Sequence, residues 1–121
     1  MQKTKYEDLE VYQLAEKISD RIWEIVIKWE WTEKNSFGLQ LIDSSSSIGA
    51  NLAEGYGRGS MADRGRFAKI SRGSLFETNH WINKTHRLNI LSDSEFNELS
   101  AMSDILTPKL SSYINYLKRN S

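Results

Sequence analysis

Five basic side chains crowd the middle of the chain: Arg58, Arg64, Arg66, Lys69 and Arg72. From Gly57 to Ile90 there are seven basic residues and two acidic ones, a local charge of +5, whereas Lys3 to Glu33 carries −3. Cationic groups gathered at a turn and along the helix after it suit contact with the phosphates of RNA or DNA. A solvated helix face carries the same residue types. Glu54, four positions before Arg58, can also hold that arginine to the turn.

The remaining reactive residue types do not assemble a site. Gly55, Gly57 and Gly59 precede Ser60 in a glycine-rich stretch, and such a loop before a helix can cradle phosphate. Nucleotide-binding glycine loops follow a strand, and here a helix precedes, with no P-loop lysine. The stretch therefore predicts a helix-to-helix turn. His80 and His86 are six apart, so they lie on different helix faces and make poor joint metal ligands. The serine run Ser44 to Ser47 lacks a histidine partner and the strained turn of a serine nucleophile. Glu54, Asn51 and Arg58 form the one polar group that an enzyme could use. Asn51 and Glu54, three apart, are better placed to tie a helix to the turn after it. With no cysteine in the chain, disulfides and thiolate chemistry are excluded. We expect no enzyme activity, no cofactor and no small-molecule substrate.

The elements that must position these residues are helices. One proline and seven glycines in 121 residues leave few structure breakers. In the first helix, predicted from Asp8 as N-cap to Trp29, Val11, Ala15, Ile18, Ile22, Ile25 and Trp29 recur at spacings of 4, 3, 4, 3 and 4. Trp31 to Ser36 interrupts the pattern and predicts a loop. A second helix is expected from Phe37 to Glu54 on Phe37, Leu41, Ser45, Ile48 and Leu52, ended by Gly55 as a left-handed cap. Beside that face run Leu39, Ile42, Ser46, Gly49 and Ala53, whose small members admit close approach of another helix. A third helix is expected from Ala62 to Leu88 on Phe67, Ser71, Ser74, Thr78, Trp81, Thr85 and Leu88, widened by Ile70, Leu75 and Ile82. Ser92 with Glu95 is a capping-box pattern. It opens a fourth helix on Phe96, Leu99, Ser103, Leu106, Leu110, Tyr113 and Leu117. Pro108 falls inside that helix and should kink it or loosen one turn. Four amphipathic helices with short connections predict an all-α, antiparallel up-and-down four-helix bundle, one domain over residues 1–121.

The first helix carries more apolar residues than one core face uses. Turning 100° per residue from Ile18, Tyr12 and Trp23 fall roughly 120–140° away, Ile27 about 180°, and Trp31 about 220° if the helix reaches it. An exposed patch of this kind marks a binding surface, with tryptophan a favoured anchor. Tyr12, Trp23, Ile27 and Trp31 are therefore the candidate contact between copies of the chain. No apolar run approaches the roughly 20 residues that span a bilayer. Met1 to Glu10 lacks the apolar stretch of a signal peptide, so a cytoplasmic location without membrane association is expected.

The stretch from Gln40 to Arg58, Q-L-I-D-S-S-S-S-I-G-A-N-L-A-E-G-Y-G-R, resembles the bacterial four-helix-bundle family named for proteins encoded in 23S rRNA intervening sequences. That family shows Q-I-R-R-A-x-x-S-I-x-A-N-I-A-E-G-x-G-R. Gln40, Asn51, Glu54, Gly55, Gly57 and Arg58 are among the matches. The opening Tyr6 to Ala15 resembles the family's F-x-D-L-x-V-W-x-x-A, and Arg72 to Glu77 its R-G-S-x-x-E. The resemblance implies an up-and-down bundle and a ring-shaped homopentamer. It also implies kinship with retroelement accessory proteins, which bind nucleic acid and a reverse transcriptase through a basic surface. The family's paired arginines fall here on Ile42 and Asp43. The function expected is thus a non-catalytic, oligomeric bundle linked to RNA; the alternative is a nucleic-acid-binding accessory factor of a reverse transcriptase.

Overall fold

A computed structural model describes residues 5–121. Four helices dominate it: α1 (Glu10–Val26), α2 (Leu39–Gly57), α3 (Met61–Arg87) and α4 (Asp93–Arg119). Each helix packs on its neighbours in a closed order, with α1 against α2 and α4, and α3 against α2 and α4. Gly38 sits beside Val26, while Gly49 sits beside Tyr12 and Glu16. Positions therefore rise along one helix as they fall along the other, which is the antiparallel arrangement expected. No strand occurs among the described residues, and no helix there is long and apolar enough to cross a membrane.

The core is built mainly on the stripes that periodicity picks out, with Val26, Ala68, Leu91 and Ile114 added. Val11, Ala15, Ile18, Ile22 and Ile25 of α1 are buried, as are Leu41, Ile48 and Leu52 of α2. Leu75 and Ile82 of α3 meet Leu99, Leu106, Leu110 and Leu117 of α4 in the same cluster. Fully burying each such side chain contributes about 1.5–3 kcal/mol. The polar residues on these stripes are satisfied locally. Thr78 and Thr85 donate to the carbonyls of Ser74 and Trp81, each at 2.8 Å. Ser71 donates across the α2–α3 contact to the Ile48 carbonyl at 2.7 Å. Such small residues let helices approach closely without leaving an unpaired hydroxyl.

Several boundaries differ from expectation, each for a physical reason. Asp8 does not cap α1. It closes a 3-10 turn (Tyr6–Asp8), and Leu9 takes the extended cap position. The segment Trp31 to Ser36 is helical rather than a loop. A short α turn (Trp31–Glu33) and a π-helical stretch (Lys34–Gly38) lead straight into α2. Its polar side chains bond back to its own carbonyls, Asn35 to Trp31 at 2.7 Å and Ser36 to Thr32 at 2.6 Å. Gly55 does not end α2: it is buried inside the helix, which runs on to Gly57. The left-handed residue is Gly59, with φ of 89°. Ser60 then caps α3, its hydroxyl accepting the Asp63 N–H at 3.0 Å.

Two expected core residues face solvent. Ile70 lies on the outer side of α3, and Leu88 follows the last turn of that helix, just before Asn89 reverses the chain at φ of 60°. Leu91 takes the buried place at that end instead. The capping box at α4 is present as expected: Ser92 accepts from Glu95 N–H at 3.1 Å, and Glu95 accepts from Ser92 N–H at 3.0 Å. α4 continues through Pro108, which is exposed, so the carbonyl it leaves unpaired has water nearby.

Candidate nucleic-acid interface

The basic cluster begins at the end of the bundle where α2 stops, α3 starts and α4 finishes, and runs along α3 to Arg72. Its five members are not equivalent. Arg58 donates to Glu54 at 2.9 Å and lies 5.1 Å from the Phe67 ring centre. Arg66 donates to Asp63 at 3.0 Å and lies 4.6 Å from the same ring centre. This bond to Arg66 holds the Asp63 carboxyl below its usual range. Both arginines keep exposed guanidinium groups but are partly neutralised. Arg64 is half-buried and stacks on Tyr56, 4.1 Å from the ring centre. Its Nε is buried with no hydrogen-bond partner among the described residues. Tyr113 lies close by; burial pushes its phenol up, and the Arg64 charge partly offsets this. Arg64 therefore serves the packing of this end. Lys69 and Arg72 enter no ion pair among the described residues.

Folding adds a residue from the far end of the chain. A groove of about 340 Å³ between α3 and α4 is lined by Met61, Gly65, Arg66, Lys69, Leu117 and Lys118, among others. Lys118 suits the α4 C-terminal dipole, which is how a sequence accounts for it. The groove makes it also the neighbour of Arg66 and Lys69. Only the pairing of α3 with α4 could reveal this, because Lys118 lies far from the cluster in sequence.

The motif from Gln40 to Arg58 is occupied largely with structure. Gln40 is exposed. Asn51 donates to the Ser47 carbonyl of its own helix at 2.8 Å, while Glu54 holds Arg58. Gly55 admits α3: an added Cβ would lie 2.7 Å from Phe67 Cβ and 3.3 Å from Arg64 Cα. Gly57 has open space around it. The two histidines are apart, as expected. His80 meets the edge of Trp81 at 4.7 Å. His86 stacks on Phe96 at 4.0 Å, with Nε2 2.7 Å from Asp93. Among the described residues, no group of three His, Cys, Asp or Glu side chains could hold a metal.

The second candidate surface is apolar. Trp23, Ile27 and Trp31 are 55%, 42% and 76% exposed; α1 ends at Val26, so Trp31 lies beyond it. Leu39, at the start of α2, is exposed as well. Tyr12 does not join them. It is half-buried against the core, with its ring 3.4 Å from the position of a Cβ on Gly49 and its hydroxyl 3.4 Å from Glu16. The small-residue stripe around Gly49 thus serves α1–α2 packing within the chain.

The model of the 23S rRNA-intervening sequence protein family matches residues 7–112. A crystal structure of a protein of unknown function from Bacteroides thetaiotaomicron, assigned to the S23 ribosomal protein family, has the same fold. It superposes with a TM-score of 0.76 at 21% identity, covering 86% of this chain and 97% of that one. No curated protein gives a significant match.

Proposed function

The chain belongs to the 23S rRNA-intervening sequence protein family, and from that membership we propose that it is a non-catalytic, self-associating bundle whose basic end contacts RNA. The observation that carries this reading is the imbalance of charge where α2, α3 and α4 meet. Arg58, Arg66, Lys69 and Lys118 gather there, with Arg72 farther along α3, and Glu54 and Asp63 answer only two of them. A chain of zero formal net charge has no general attraction for polyanions. Its RNA contact must come from this local field.

The test is binding across a salt series with single-stranded and duplex RNA. Arg66→Glu, Lys69→Glu and Arg72→Glu together should weaken binding and flatten its salt dependence. Each lost phosphate contact lowers the log–log slope by about 0.7 on a single strand. Arg64 is left in place, since its removal would also unstack Tyr56. Wild-type protein that binds no RNA even at low salt would end the reading.

Self-association is supported by the exposed Trp23, Ile27 and Trp31. Covering them would remove several hundred Å² of apolar surface at about 25 cal/mol per Å², offset in part by the cost of association. A ring of five, the family's arrangement by resemblance, needs a contact between two different surfaces of the chain. Trp23→Glu should give a folded species of smaller mass by light scattering. A wild type that stays monomeric at high concentration would end the self-association reading.

A further inference from the structure

We propose that the α3–α4 groove walled by Arg66, Lys69 and Lys118 is the seat of a single RNA strand; this rests on the RNA-binding reading. The groove combines two chemistries that a nucleotide needs. Its walls are cationic: Arg66 and Lys69 stand one turn apart on α3, and Lys118 faces them from α4. Lys69 and Lys118 form no ion pair among the described residues, and Arg66 shares its charge with Asp63 alone. Met61 and Leu117 line it as well, apolar groups that suit a ribose or the face of a base.

Gly65 deepens the groove. Nothing but Leu117 comes within 4 Å of a Cβ built there, at 3.7 Å, so the missing side chain is not demanded by packing. At about 340 Å³ the groove has room for little more than one nucleotide at a time. A single strand can enter it, whereas a rigid duplex would touch only the rims. Strands held this way combine phosphate contacts with contact between bases and side chains.

The experiment uses the full chain with labelled oligouridine and, in parallel, a short RNA duplex. Gly65→Leu fills the groove without changing charge; its Cβ meets only an ordinary contact, and circular dichroism checks that the fold is kept. Oligouridine affinity should fall about tenfold or more, the loss of one good contact. Lys118→Gln, on an exposed residue, should lower the salt slope by about 0.7, one phosphate on a single strand. Tighter binding of the duplex by wild type would overturn the proposal. So would RNA binding by wild type that neither variant alters, and this result would leave the RNA reading standing. Failure of wild type to bind either RNA would overturn both.

Discussion

Replacing Gly55 by valine should lower the stability of the fold by about 3 kcal/mol, the upper part of the usual range for forcing extra atoms into a packed core. The first added atom alone would sit 2.7 Å from Phe67 Cβ and 3.3 Å from the Arg64 backbone. Neither neighbour is the loose end of a side chain, so α2 and α3 must separate for the variant to fold. Two residues further on, Gly57→Ala meets nothing within 4 Å and should stabilise the chain, by up to about 1 kcal/mol from helix propensity. Urea unfolding of the two variants measures both effects. Equal midpoints would show that α2 and α3 do not approach at Gly55. The functional consequence follows from position: Arg64 and Phe67, which Gly55 touches, carry the stacking of Tyr56, Arg58 and Arg66. Opening this contact should also loosen the basic end.

Gly55 also shows where sequence reasoning reaches its limit. A glycine near the end of an apolar pattern can stop a helix or admit a neighbour, and local sequence does not distinguish the two. The deciding atom belongs to Phe67, twelve positions later. The core stripes of α1 and α4 are legible because burial repeats with the helix turn over many residues. Trp31 to Ser36 is not legible, because its polar side chains bond to carbonyls four residues back and it passes through a π-helical stretch that shifts the register. The basic cluster is legible as a set of residue types. Which members remain available depends on partners: Glu54 and Asp63 are near in sequence, while Tyr113 beside Arg64 and Lys118 beside Lys69 arrive from α4. Tyr12 failed as a surface residue because α2 covers that side of α1, which an isolated helical wheel does not include.

Leu106→Ala should cost about 2–5 kcal/mol, the range for truncating a buried leucine. Leu106 is 0% exposed, in the cluster that joins all four helices. The cost combines the lost burial with the cavity left behind, which neighbouring helices close only in part. Ile105→Ala is the matched control. That side chain is 51% exposed, so its truncation should stay within about 0.5 kcal/mol. The pair measures the rotation of α4 about its own axis, since adjacent residues point 100° apart. This rotation matters beyond stability. Leu106, Leu110 and Leu117 share the buried face of α4, and Lys118 follows directly, so the register that buries Leu106 also sets Lys118 at the groove. A cost below about 0.5 kcal/mol for Leu106→Ala, the usual effect at an exposed site, would mean that α4 is turned. Lys118 would then lie away from Lys69, and the α3–α4 groove would lose one of its walls.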